Sequence, residues 1–136
     1  MASEFNGEVT SRMLEVAREK AGTLQLEIRH TSRVPGAFDM PVIVDALLRR
    51  EDIDGVVTLG AIIKGRTKHD ELIARTTARS LSDLSVRHQK PVSLGISGPG
   101  MHERQAHARI RPVAERAVEA VLSVYDELKR ISRPCS

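Results

Sequence analysis

Apolar positions change their spacing repeatedly along the chain, and each change marks an element. Over residues 10–21, Met13, Val16, Ala17 and Ala21 fall on one helical face, with Thr10 or Ser11 as the candidate cap and Gly22 as the stop. Leu24, Leu26 and Ile28 then alternate with Gln25, Glu27 and Arg29, which predicts a strand with one wetter face. Val34, Pro35 and Gly36 read as a turn, and Pro41 suits the first position of a helix running to about Arg50. Residues 55–63 (GVVTLGAII) form a nearly continuous apolar run, as expected of a strand covered on both faces. Gly65 breaks that run, and a helix follows from about Lys68 to His88 carrying Leu72, Ile73, Thr76, Ala78, Leu81 and Leu84. Pro91 to Ile96 reads as another buried strand, closed by a loop at Ser97–Gly100. A short helix from Met101 to about Ala108 and a long one from Pro112 to about Lys129 complete the chain; Val113, Ala117, Ala120, Val121, Val124 and Leu128 face inward on the latter. Strands alternating with helices predict an α/β fold with a mainly parallel sheet, in a single domain spanning residues 1–136 without repeats or linkers.

Composition narrows the function classes. The 136 residues suit one domain, and the 40% hydrophobic and 29% charged content is globular rather than disordered. No apolar run nears the ~20 residues of a membrane span, and no signal peptide is read at the start. With Cys135 as the single cysteine no intrachain disulfide forms, and a reducing cytoplasm is the simplest compartment. Aromatics are limited to Phe5, Phe38 and Tyr125, which argues against the stacking platforms of single-stranded nucleic-acid binders. Net charge is +3, from interleaved basic and acidic residues, so no nucleic-acid partner is expected.

In parallel sheets ligands bind beyond the carboxyl ends of the strands. Three such ends are rich in functional residue types: residues 34–41 (VPGAFDMP), 60–69 (GAIIKGRTKH) and 94–100 (LGISGPG). The second ends a strand and opens a helix, where free N–H groups and the helix dipole suit a phosphate. His69 in that first turn is placed to move a proton beside the anion. By spacing alone, Thr67 as a simple N-cap and His69 as a solvated residue is the plainer reading.

Several separated motifs in order carry more weight than any one loop. They are Phe5–Asn6, residues 34–41, residues 58–71 (TLGAIIKGRTKHDE), residues 91–101 (PVSLGISGPGM), residues 105–109 (QAHAR) and residues 116–119 (RAVE). Together they resemble the lumazine synthase family, most of all its archaeal members, over essentially the whole chain. Archaeal riboflavin synthase is a weaker match, since it lacks the Gly-x-Thr-x-His motif. The resemblance implies a three-layer α/β/α sandwich with a flavodoxin-like sheet. It also implies a condensation that uses no metal or redox cofactor. In it, 5-amino-6-(D-ribitylamino)uracil and 3,4-dihydroxy-2-butanone 4-phosphate give 6,7-dimethyl-8-ribityllumazine, phosphate and water. Members of the family assemble as pentamers, some building 60-subunit icosahedral shells, so a homo-oligomer is implied here. A non-catalytic shell protein and a phosphate- or flavin-ligand-binding module on the same fold are the competing readings; retention of both His69 and Arg109 disfavours them.

The family's roles transfer to matching positions. Phe5 corresponds to the aromatic stacked on the pyrimidine. Ala37, Phe38 and Asp39 correspond to the segment holding the ribityl chain, with Asp39 a shorter acid than the common Glu; the Phe38 side chain and Met40 are expected in the core. Ile62, Ile63 and Lys64 match the strand end along the pyrimidine edge. Thr67 and Lys68 match the phosphate cradle, and His69 matches the general acid/base. Leu94 covers the pyrimidine where many bacterial members have an aromatic, a plain core leucine being the alternative. Arg109 matches the phosphate-binding arginine, whose guanidinium forks onto phosphate oxygens. Arg116 and Glu119 are supporting candidates, an intrahelical ion pair being equally compatible. The other histidines, His30, His88, His102 and His107, lack metal-ligand spacing and are expected at the surface.

Two departures stand out. Arg66 replaces an acidic or small residue common in the family, adding positive charge beside the phosphate loop. Only four residues precede Phe5, where the family has a full central strand, so the first strand is expected to be missing or shortened. Unpaired groups facing such a gap would cost roughly 1–3 kcal/mol each. About ten Val- and Ile-rich residues ahead of Met1 are therefore expected in the native protein, the alternative being that the neighbouring strands close together and displace Phe5.

Overall fold

The computed structural model describes residues 1–63 and 69–134. Its sheet has four parallel strands in the order β2-β1-β3-β4, formed by Ala2–Ser3 (β1), Arg33–Val34 (β2), Val56–Ile63 (β3) and Val92–Met101 (β4). The helices are Gly7–Thr23 (α1), Met40–Leu48 (α2), His69–His88 (α3), Glu103–Ala108 (α4) and Ile110–Ser132 (α5). Leu59 and Ala61 of β3 pack with α1 and α5 residues such as Met13, Val16, Ala114 and Val118. On the other face Val56 packs with Met40, Val44 and Leu48 of α2 and Leu81 and Leu84 of α3. Burial on both faces is what the unbroken apolar run of β3 requires, and it makes the domain a three-layer α/β/α sandwich. Among the described residues no helix is long and apolar enough to cross a membrane.

The first strand is shortened, not lost. Ala2 pairs with Arg33 on one side and Leu59 on the other, so two residues hold the central position and the neighbouring strands have not closed over it. The Met1 amino group donates to the Val57 carbonyl at 3.1 Å; burial, and then Arg18, lowers its pKa to about 6. Beside it, at the amino ends of the strands, lies a cavity of about 320 Å³ whose lining includes Met1, Leu14, Leu26, Ile28, Val57 and Tyr125.

Three sequence expectations need correction. The alternating segment 24–28 is not a strand; pairing is delayed to Arg33–Val34. Its backbone closes α1 instead: the N–H groups of Leu24, Gln25 and Leu26 donate to Lys20, Gly22 and Ala21 carbonyls, with Gln25 left-handed at φ 59. Next, α1 starts at Gly7 with Asn6 at its N-cap, and Thr10 is a fully buried residue of the first turns instead of a cap. Finally, residues 97–100 belong to β4. Two residues of β3, beyond Ala61, face four of β4, since Ala61 pairs with Ser97 and Ile63 with Met101. Gly98 and Gly100 take positive φ in this bulge, and a side chain at Gly98 would lie 2.1 Å from the Ile62 carbonyl oxygen.

Candidate active site

From β1 the chain passes through α1 to β2 on one side, then crosses to β3 on the other. This reversal falls between the carboxyl ends of β1 and β3, the position at which open α/β sheets form a ligand-binding crevice. The described residues at its rim are Phe5 and Asn6 after β1, Pro35–Asp39 after β2, Ile62 and Ile63 ending β3, and His69 opening α3.

Phe5 is held by its backbone and free in its ring. The N–H groups of Glu4 and Phe5 donate to the Val34 and Pro35 carbonyls at 2.6 and 2.9 Å, extending the β1–β2 contact past the formal strands. The ring is 69% exposed, as a stacking surface must be. It leans over Gly36, where an added Cβ would sit 3.1 Å from Phe5 Cδ2. The Gly36 N–H donates to Asp39 Oδ2 at 3.0 Å, and the Asp39 N–H returns to the Gly36 carbonyl at 3.1 Å. One Asp39 oxygen therefore shapes the single 3-10 turn Ala37–Asp39 while its carboxylate stays exposed.

Around that turn, Ala37 is buried and Met40 fully so, but Phe38 is 62% exposed and does not join the core as its hydrophobicity suggested. Ile62 is buried and Ile63 half-buried at the end of β3. Lys64, Thr67 and Lys68, with Arg66, lie outside the described residues. His69 is exposed and shares the first turn of α3 with Asp70 and Glu71. Leu94 is 54% exposed on the outer strand β4, so it is no plain core leucine. Arg109 is an exposed residue at the corner between α4 and α5, its N–H bonded to the Gln105 and Ala106 carbonyls. Arg116 and Glu119 stand roughly 9 and 14 Å along α5 from its start. Glu119 meets Lys20 Nζ at 3.2 Å instead of Arg116, which makes it a brace between α1 and α5.

Not every histidine is a simple surface residue. His88 is half-buried and its Nε2 lies 2.7 Å from Asp45 Oδ1, tying α3 to α2. His107, Glu103 and Glu8 place their ligating atoms within 4.8 Å of one another on exposed and half-exposed side chains, a grouping their sequence separation hides. Asn6 went unassigned as well, although its side-chain amide donates to the Ala61 carbonyl at 2.9 Å. The sequence signals for it are its place in the Phe5–Asn6 motif and a residue type tolerant of left-handed backbone.

The family model described as 6,7-dimethyl-8-ribityllumazine synthase matches residues 1–131. The chain belongs to this family. A protein of that name from Sulfolobus acidocaldarius is 50% identical over 131 residues, covering 96% of this chain and 83% of the relative. Another, from Methanothermobacter thermautotrophicus, is 47% identical over 129 residues, covering 95% and 92%. A third, from Staphylothermus marinus, is 50% identical over 96% of this chain and 87% of its own length.

Proposed function

We propose that the protein catalyses the condensation of 5-amino-6-(D-ribitylamino)uracil with 3,4-dihydroxy-2-butanone 4-phosphate to 6,7-dimethyl-8-ribityllumazine, in riboflavin biosynthesis. One observation carries the reading: an exposed aromatic residue, a carboxylate-braced turn and a histidine follow the carboxyl ends of adjacent strands at the reversal of a parallel sheet. Phe5 stacks on the pyrimidine, Ile62 and Ile63 run along its edge with Lys64, and Ala37, Phe38 and Asp39 hold the ribityl hydroxyls. Polar groups at the turn then fix orientation while the aromatic face supplies the affinity.

Phosphate is taken by Arg109 with Thr67 and Lys68. Asp70 and Glu71 occupy the first turn of α3, so the dipole's positive end is already partly compensated there. Phosphate affinity therefore rests on the cations, Arg109 foremost. The pyrimidine's amine attacks the ketone, water leaves to give an imine, phosphate is eliminated, and the second amine closes the ring with loss of a further water. His69 moves the protons these steps require, a role worth ~10²–10⁴ in rate. No metal or redox cofactor takes part in this scheme.

Copies of the chain complete one another's sites, Leu94 and Arg109 of one meeting Phe5, Asp39 and His69 of the next. What supports this is an apolar side chain left 54% exposed on an outer strand. The scheme makes the active unit a homo-oligomer of at least five copies. Absorbance and fluorescence of the product, followed on mixing the two substrates, test the whole reading; no lumazine formed by folded, oligomeric protein refutes it.

A further inference from the structure

We propose that Asn6 is a positioning residue that sets Phe5 against the pyrimidine substrate, an inference that rests on the stacking role given to Phe5 above. The β1–β3 ladder is very short. Met1 and Leu59 bond through the Leu59 N–H at 2.8 Å, Ala2 pairs with Leu59, and β1 ends at Ser3. Two residues further along β3, the carbonyl of the buried Ala61 points to where the next ladder partner would stand. The Asn6 side-chain amide fills that role, donating to Ala61 O at 2.9 Å across 55 residues of sequence. A side chain thus replaces a backbone bond at the point where the sheet splits to form the crevice.

The same residue is fixed in two other directions. Its backbone is left-handed, at φ 59 and ψ 45, and its carbonyl accepts the Val9 and Thr10 N–H groups at 3.0 and 3.1 Å, starting α1. On its other side the Phe5 N–H is bonded to Pro35. Asn6 therefore locks the Phe5 turn to β3, whose next residues, Ile62 and Ile63, form the opposite wall. Two demands meet here: a left-handed backbone and a side-chain donor. Glycine meets the first alone. Aspartate tolerates the backbone but offers a carboxylate oxygen to a carbonyl oxygen. Asparagine meets both.

The test is a double-mutant cycle between Asn6→Gly and Phe5→Ala, read as KM and kcat for each substrate, with Asn6→Asp as a second probe. Loss of one hydrogen bond that orders the ring should raise KM for the ribitylaminouracil about three- to tenfold. Asn6→Gly and Asn6→Asp should both do so, with kcat and the KM for the butanone phosphate within about twofold of the unmodified enzyme. In the Phe5→Ala background Asn6→Gly should add less than about twofold, because the ring it positions is gone. If Phe5→Ala leaves the pyrimidine KM unchanged, the stacking reading fails. If Phe5→Ala raises it but Asn6→Gly does not, or the two effects multiply, the stacking reading stands and this inference is overturned. If Asn6→Gly does not fold, Asn6→Asp carries the comparison; unfolding of both makes Asn6 a purely structural residue and overturns the assignment.

Discussion

Gly36→Ala should separate stability from substrate affinity. Gly36 sits at φ −148 and ψ 175, extended backbone that alanine adopts without strain. Replacing glycine at such a position stabilises by about 0.4–1 kcal/mol through the unfolded chain. The new Cβ would stand 3.7 Å from Asp39 Oδ2, ordinary contact, so the Asp39 bond to the Gly36 N–H survives. Toward Phe5 the geometry is tighter: 3.1 Å to Cδ2, against about 3.5–4.0 Å for relaxed carbon contacts. The ring is exposed and yields, by roughly half an ångström. A base–aromatic stack is worth about 1–3 kcal/mol, and a gap of that order forfeits a quarter to a half of it. The loss of about 0.3–1.5 kcal/mol raises KM for the pyrimidine substrate about two- to tenfold. Steady-state lumazine formation at saturating butanone phosphate measures this, and calorimetry measures Tm, which should hold or rise by a few degrees. An unchanged KM with raised Tm would mean that Phe5 carries no stacking contact. A Tm lowered by several degrees would mean that the clash is absorbed by the backbone and not by the ring.

Gly95→Ala should instead be costly everywhere. Its Cβ would lie 2.4 Å from the Thr58 carbonyl oxygen and 3.0 Å from Ala117 Cβ, so thermal unfolding should show a loss of about 1–3 kcal/mol; a neutral result would contradict the β3–β4–α5 packing. Asp45 is held below the ordinary carboxylate range, first by its hydrogen bond to His88 and then by Arg49. A depressed carboxylate gives stability that is present above the unfolded value, about 3.9, and lost as pH falls through the folded one. Urea unfolding of Asp45→Asn should accordingly show a flatter acid limb below about pH 4, and an unaltered limb would place the acid sensitivity elsewhere. Arg109→Ala should chiefly raise KM for the butanone phosphate and His69→Ala chiefly lower kcat; equal small effects from both would count against their roles. Asp39→Ala and Arg109→Ala proteins, each impaired at low substrate concentration, should regain low-substrate activity when co-assembled, and verified mixed oligomers without such recovery would exclude a shared site.

What could be read in the sequence was whatever needs no knowledge of neighbours. The apolar run of β3 and the helical spacing of α3 and α5 are local patterns, and each element lies where they put it to within a few residues. The alternation at 24–28 is just as local, but a strand needs a partner. Leu24 and Leu26 pack against the core that α1 and α5 share with β3, while their N–H groups finish α1. Arg33–Val34, the true second strand, is too short to show any period. Residues 97–100 read as a turn because glycine and proline dominate them. They continue β4 because Gly98 lets the backbone close onto Ile62, a contact between residues 36 positions apart. At the site the same division holds. Phe5, Asp39, His69 and Arg109 could be proposed because their residue types match the family's motifs at those positions. Asn6 reaches a carbonyl 55 positions away and Gly36 leaves room for the Phe5 ring, and both depend on neighbours that the local sequence does not show.

That division follows from the shape of the sheet. A long first strand would fix the Phe5 turn through several ladder bonds to β3, and no individual side chain would matter much. Here the ladder has one register pair, Ala2 with Leu59, and beyond it the crevice wall depends on separate bonds: Glu4 to Val34, Phe5 to Pro35, and Asn6 to Ala61. Gly60 adds a steric condition, since a side chain there would press on Ser3 Oγ at 3.1 Å and Met40 Cε at 3.4 Å, which would have to give by a few tenths of an ångström. Local opening free energies are lowest where few contacts hold a segment, so the first six residues open more readily than the core beneath them. The Phe5 ring, proposed to stack on the pyrimidine, is thus carried on a part of the sheet secured by few bonds. Its precision comes from a side-chain amide and two glycines more than from the strand that delivers it.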